Sequence, residues 1–419
     1  MIVTRKTLII LTVIACLGLM LTPAAMAEKV NLTFWSWRTE DVDAYNKFIA
    51  AFNEKHPDIN IEFVAYRNTE YNTILATALQ AGSGPDIIHL RAYGGMEPLA
   101  KAGYLMALDG KVPELANFSR DVLLGATNRA DGKVYGVPSA VQTVQVLYNK
   151  AIFRELGLEE PSTWDEFLQL AAKVKEAGYI PFANGGKEGW TLETYFGAVA
   201  PTFYGGNTFF EEVTTGKTTF TDPRIKAAIE KMLELRPYLP DQYMGVGYTD
   251  MQMLFAQEMA AMFLAGIYEL GTLAQMNPDL EVGLFVVPAE TADQLKYLTM
   301  YVDGSYGINA ATKHPEAALE FIRFLATEEY GTMFTNTLQQ ISAVPGVEPD
   351  NELLAEVVAL MEESSSPYLM LTAFRYGQPS GSTLLQNELQ GVFAGEITVD
   401  EALANIQAGL ETWYEPFKR

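Results

Sequence analysis

Apolar positions recur along this chain with two periods, and the alternation between them outlines a fold. Val42, Tyr45, Phe48, Ile49 and Phe52 fall at helical spacing within residues 41–55, and Ile59, Ile61 and Phe63 then alternate with polar residues as a strand does. Ile74, Leu75, Ala78 and Leu79 return to the helical period and stop at Gly82, and Pro85-Asp86-Ile87-Ile88 follows as a buried strand. With the short strand "LTFWSW" in front, the order β-α-β-α-β predicts a parallel sheet with helices on both faces. A second region of the same kind opens at Thr163-Trp164-Asp165-Glu166, a capping box, and Asp222-Pro223 starts another helix with proline at its first position. Between the two regions lies "YGVPSAVQTVQVLYNK", a β-rich run that joins two lobes. Further strands are expected at 259–264, 283–287 and twice within 300–311, with helices at 316–325 and on either side of Gly395.

The first 27 residues stand apart from this pattern. Arg5 and Lys6 precede an apolar stretch from Leu8 to Leu21, and Ala25-Met26-Ala27 forms a small-x-small cleavage site, so the segment reads as an export signal. A competing reading makes Val13-Ile14-Ala15-Cys16 a lipoprotein signal that anchors the chain through Cys16, although the residues after Cys16 are mostly apolar rather than a polar tether. Cys16 is the chain's only cysteine, so cleavage after Ala27 leaves no disulfide and no thiol nucleophile. The rest of the 419-residue chain is too long for one ordinary core, and no Ser- or Gly-rich tether divides it. The formal charge of −23, made more negative by two when the leader's two cations are removed, opposes binding to nucleic acid or to an anionic membrane.

Candidates for catalysis are scarce. His56, His89 and His314 are widely separated and offer no metal-ligand spacing. "TTGKTT" at 214–219 has Glu211 where a phosphate loop needs glycine, and no G-x-S-x-G elbow occurs. Aromatic residues beside glycine and polar groups are more informative: Trp35-Ser36-Trp37-Arg38, Tyr93-Gly94-Gly95, Gly189-Trp190, Gly266-Ile267-Tyr268 and Asp303-Gly304-Ser305-Tyr306. A sugar ring stacks its apolar face on an aromatic ring and points its hydroxyls sideways at polar side chains, so a sugar site needs both kinds of residue on loops.

Taken in order, "LTFWSW", "YNKFIAAFNEKHP", "ILATALQAGSGPDII", "YGVPSAVQTVQVLYNKAIF", "PSTWDEF", "AAMFLAGIYE", "HPEAALEFIRFLAT" and "LQGVFAGEITVDEALANIQAGLE" resemble the extracellular solute-binding proteins of ABC sugar importers, the family of the maltose- and trehalose-binding proteins. The resemblance implies an α/β, two-lobed periplasmic binding protein type II fold, each lobe a mixed sheet flanked by helices, joined by three crossovers near 138–146, 299–306 and 341–346. It implies lobes of 28–140 with 304–343 and of 141–303 with 344–419. The expected activity is capture of a neutral di- or oligosaccharide in the interlobe cleft by a monomer that delivers it to a membrane permease, with no enzymatic step, cofactor or metal. A non-sugar solute, such as a glycerol phosphate diester or a polyamine, is the alternative, and an exported carbohydrate-active enzyme a more distant one.

Carried over position by position, the resemblance places Trp37, Arg38, Glu40, Asn68, Glu70, His89 and Arg91 at the cleft edge of the first lobe. Gln142, Asp303, Gly304 and Tyr306 fall in the crossovers, and Trp190, Tyr268 and Arg375 in the second lobe. Gln142 departs from the acidic residue often found there, and Tyr268 stands where tryptophan is more usual. Trp37 and Arg38 are expected to line the cleft with Trp35 packed beneath them, while Trp164 and Asp86 are expected to be structural.

Overall fold

The computed structural model describes residues 29–418; the leader and Cys16 lie outside them. Among the described residues twelve strands form two sheets. The first sheet takes β1 (Val30–Ser36), β2 (Ile59–Ala65), β3 (Ile87–Arg91), β4 (Val137–Pro138) and β10 (Gly304–Ile308) in the order β2-β1-β3-β10-β4. β1 runs parallel to β2 and β3, as the alternation of strand and helix predicts, but β10 arrives from far along the chain and inserts antiparallel between β3 and β4. The sheet is therefore mixed. Leu32, Phe34, Ile59 and Ile61 face a core shared with the Val42–Lys55, Pro315–Phe324 and Glu328–Leu338 helices. Phe34 sits at its centre, edge-on to Tyr45, Phe63, Tyr306 and Phe321. The opposite face carries Trp37, Ile88 and Leu90 against Tyr71, Leu75 and Leu79 of the Asn68–Gln80 helix.

The second sheet is centred on β5 (Ala140–Asn149), which pairs antiparallel with β7 (Ala260–Gly266), β8 (Val282–Phe285), β9 (Leu298–Val302) and β11 (Ile341–Ser342). β6 (Ile180–Phe182) joins β7, and β12 (Ser365–Pro367) joins β9, each in parallel. Trp164 follows Thr163 in an intact capping box and is fully buried. Asp222 caps the Pro223–Glu234 helix through the Arg224 amide, and Gly395, in the left-handed region at φ 76°, separates the Gly381–Ala394 and Val399–Glu411 helices. The predicted helices at these places are present. Trp190 opens a long, almost wholly buried helix, Gly189–Tyr204, whose uniformly apolar sequence carries little periodicity.

The chain crosses between the sheets where β4 passes to β5, where β9 passes to β10, and around β11. Backbone bonds tie the three crossings together: Ser139 N donates to Gly304 O at 2.9 Å, Asp303 N to Ala140 O at 3.1 Å, and Ala343 N to Ser139 O at 3.1 Å. This arrangement sets the carboxyl ends of β1 and β3 opposite the carboxyl end of β7, where open α/β sheets present their loops. Among the described residues no helix is long and apolar enough to cross a membrane.

Candidate functional site

The first wall of the site begins where β1 ends. Ser36 is buried and its Oγ lies 2.9 Å from His89 Nδ1 while accepting from the Arg38 amide at 3.1 Å, so the chain turns tightly just past the strand. That turn lays Trp37 flat on His89, with ring centroids 3.8 Å apart, and Arg91 covers the Trp37 ring with its guanidinium carbon 3.9 Å from the centroid. The expected burial order of the two tryptophans is thereby reversed. Trp37 is 3% exposed, whereas Trp35, still inside the strand, leans half-buried on Tyr66 beside the edge strand β2. Burial, with the nearby Arg91 and Arg38 charges adding to it, holds the His89 pKa well below the usual imidazole value, so the ring is neutral. Its Nε2 has no hydrogen-bond partner among the described residues.

Arg38 is anchored rather than free. Its Nε donates to Asp41 at 2.6 Å and its Nη1 lies 3.1 Å from Glu40. Burial opposes the Arg38 charge, but Asp41 and Glu40 outweigh it and raise the guanidinium pKa well above its ordinary value. Asp41, which sequence reasoning did not single out, is itself pushed up by burial against the pull of Arg38. Arg91 is brought down to about 10 by burial and by Arg375, which still leaves it cationic at neutral pH. It donates to Asn68 and Asn72, which joins Asn68 to this wall. Glu70 is not joined: it is exposed and its ion-pair partner is the still more exposed Arg67 at 3.9 Å.

At the crossings, Asp303 is half-buried and shares a small cavity with Arg38, His89, Ser139 and Gln340. Gln142 is fully buried and donates from Nε2 to Gln340 Oε1 at 2.7 Å, leaving its own carbonyl oxygen without a partner among the described residues. A Cβ at Gly304 would stand 2.8 Å from both the Trp37 ring and Leu90 O and 3.0 Å from His89 Nε2, which explains the glycine. The Tyr306 hydroxyl is committed to the core, at 2.8 Å from the Tyr45 hydroxyl and 2.7 Å from that of Tyr330.

The second wall comes from the start of the Gly189–Tyr204 helix and the end of β7. Trp190 stands edge-on to Tyr248, centroids 4.7 Å apart, and the Tyr268 ring lies so close over Gly266 that a Cβ there would be 2.1 Å from it. Two buried acids were missed. Glu193 bonds Gln386 at 2.5 Å, and Glu269, next to Tyr268, accepts from Gln252 at 2.7 Å; each keeps an Oε1 without a partner among the described residues. The adjacency of Glu269 to Tyr268 was the signal that could have found it. Burial raises both carboxyls, Glu269 to about 7.

The two walls touch. Tyr93, in the left-handed region at φ 54°, accepts on its hydroxyl from the Val302 amide at 3.0 Å, and Arg129 donates to Thr372 O at 2.8 Å while stacking on Tyr376 at 3.4 Å. A Cβ on Gly94 would meet Arg375 O at 2.4 Å, so Arg375 is held at this seam. The arrangement can do one thing well: surround a polar solute with aromatic faces and buried hydrogen-bonding groups. Among the described residues no group of His, Cys, Asp and Glu is placed to hold a metal ion.

A family model described as "Bacterial extracellular solute-binding protein" matches residues 36–332. The chain belongs to this family. A "Multiple sugar-binding protein" of Streptococcus mutans is 27% identical over 357 residues, covering 82% of each chain. Among solved structures, the fold is shared with RafE, from Streptococcus pneumoniae and solved with raffinose (TM-score 0.75, 23% identity, 93% of this chain and 100% of that one). It is shared equally with a chitin oligosaccharide binding protein (TM-score 0.79, 21% identity, 93% and 100%). The family is one of extracellular binding proteins, and its architecture is the two-lobed one that the resemblance implied.

Proposed function

We propose that this chain is the receptor of an ABC importer and captures a sugar of di- or oligosaccharide size between its lobes for delivery to a membrane permease. The observation that carries this reading is the pairing of half-buried aromatic faces, Trp190 and Tyr268, with buried hydrogen-bonding atoms that no described residue satisfies, at His89, Gln142, Glu193 and Glu269. Unsatisfied buried polar atoms cost stability, and a polyhydroxylated ring that enters between the lobes supplies their partners. The names of the sugar-binding relative and neighbours agree with it. A phosphodiester is the poorer fit, because Arg38 is already neutralised by Asp41 and Glu40 and the second wall is acidic.

In this reading lobes of 28–140 with 304–343 and of 141–303 with 344–419 swing about the crossings at Ser139, Asp303 and Ala343, and solute touching both stabilises the closed form. Arg38, Asp303, Gly304, Trp190, Tyr268 and Arg375 border the solute, with Trp37 packed behind them. The chain works as a monomer, exported with residues 1–27 removed and free in the periplasm, or tethered through Cys16. Isothermal calorimetry against raffinose, maltotriose, cellotriose, xylotriose and chitotriose tests the reading: the expected result is tight binding of at least one, and binding of none with clear binding of a phosphodiester or polyamine overturns it.

A further inference from the structure

Beneath Trp190 and Tyr268 the second lobe leaves a partly open cavity of about 10 Å³, lined also by Asn184, Thr194, Tyr248 and Glu269. Its polar groups are not equivalent. Asn184 is spent on Leu264, donating to its carbonyl at 2.8 Å and accepting from its amide at 2.9 Å. Thr194 Oγ1 donates to Trp190 O at 3.1 Å. Glu269 is 0% exposed and its Oε2 takes the Gln252 amide; its Oε1 has no partner in good hydrogen-bond geometry among the described residues, the Tyr248 hydroxyl standing beside the carboxyl without closing that bond. The cavity thus pairs an unused acceptor with space of the order of one small polar group.

The setting also says which chemistry fits. Glu269 is faced by Gln252 and Tyr248 from the Tyr248–Ala256 helix, by the adjoining Tyr268, and across the cleft by Arg38 and Glu40, whose charges reach it from the first lobe. It therefore lies under the cleft and not in a remote part of the core. In its ionised form the carboxylate repels an anionic group and accepts from a hydroxyl, whereas a bare carbonyl offers it no hydrogen. We propose that this cavity is a specificity pocket that takes one hydroxyl-bearing arm of the bound sugar, with Glu269 Oε1 accepting its hydrogen bond and Trp190 and Tyr268 flanking the ring that carries the arm. The proposal rests on the sugar-receptor reading and names the group within it that selects the ligand.

Two consequences separate recognition from a merely structural role. A donor arriving at Oε1 favours the ionised carboxyl, so sugar binding near neutral pH expels protons from Glu269. And because the unsatisfied acid is a burden to the unliganded fold, its removal weakens binding without weakening the fold.

The test uses the mature chain with the tightest-binding sugar of the panel above, comparing wild type, Glu269→Gln and Glu269→Leu. Glu269→Gln and Glu269→Leu are expected to bind roughly 10- to 100-fold more weakly, as loss of a hydrogen bond to a charged group implies, with unliganded Tm equal to or above wild type. Calorimetry at pH 6.5 in buffers of different ionisation enthalpy should show proton release on binding to wild type and none with Glu269→Gln. Affinity within twofold of wild type in Glu269→Gln, or unchanged proton release, overturns the pocket while leaving the receptor reading intact. If no sugar binds wild type, that reading fails and takes the pocket with it. Should Glu269→Leu fail to fold, the isosteric Glu269→Gln still decides.

Discussion

Glu269 carries its acid at a cost that depends on pH. Burial raises its pKa from the ordinary 4.5 to about 7, so between those values the folded chain holds more protons than the unfolded one. The sign follows: the carboxyl weighs nothing against the fold below its unfolded pKa, and stability is lost as pH rises through about 7. His89 acts the other way, because its depressed pKa makes stability fall as pH drops through the ordinary imidazole value of 6.5. Comparing Glu269→Gln with wild type at each pH cancels His89, Asp41 and Glu193 and isolates the one carboxyl. The unliganded Glu269→Gln chain should come close to wild type near pH 4 and exceed it at pH 7.5, by on the order of 3 kcal/mol. Scanning calorimetry at both values reads this as a widening Tm difference, and a difference that stays flat removes the account.

At the scale of elements, β10 is the strand on which the first wall depends and also the one whose place was hardest to read. The helices at 42–55 and 164–176 and the strands β1 to β3 announce themselves because their periodicity and caps are local. That β10 would insert antiparallel beside β3, and put Gly304 under Trp37 and His89, depends on a partner some 200 residues distant, which no local pattern encodes. The same limit hid the burial of Trp37. Strand parity sets it beside Trp35, but the turn that lays it on His89 is fixed by Ser36 and Arg38. Sequence likewise marked Trp190 and Tyr268 as aromatic faces while passing over Glu193 and Glu269, because an acid that becomes buried looks the same in one dimension as the many that stay exposed. Gly304→Ala puts this register to the test. The added methyl meets backbone at Leu90 O and the edge of Trp37 together, so neither can yield cheaply. The expected outcome is a folded chain destabilised by about 1–3 kcal/mol, with Trp37 displaced. A lowered Tm with altered tryptophan fluorescence supports it, and an unchanged Tm contradicts the close approach.

For the whole molecule, the balance between open and closed lobes sets the apparent affinity, since only the population able to enclose the solute contributes. In the closed arrangement seen here, the cavities beside Arg38 and beside Trp190 are each far smaller than a disaccharide, so sugar entry requires the lobes to part. Contacts that hold them together without solute include the Tyr93 hydroxyl on Val302, Gly94 against the Arg375 backbone, and Arg129 on Thr372 and Tyr376. Arg129 touches none of the residues proposed to border the sugar, and its backbone is fixed separately by Glu97, which accepts from the Arg129 amide at 3.0 Å. Arg129→Ala therefore removes interlobe contact alone. An exposed cation-π contact with a hydrogen bond to a carbonyl is worth about 1 kcal/mol, so the closed population should fall and affinity weaken, by at most about fivefold. The loss should appear in the dissociation rate, because the latch forms after the solute has entered. Small-angle scattering should show a larger radius of gyration for the unliganded variant than for unliganded wild type, with the two converging at saturating sugar. Equal radii without ligand, or a slowed association rate with unchanged dissociation, would mean that the contact at Arg129 does not govern closure.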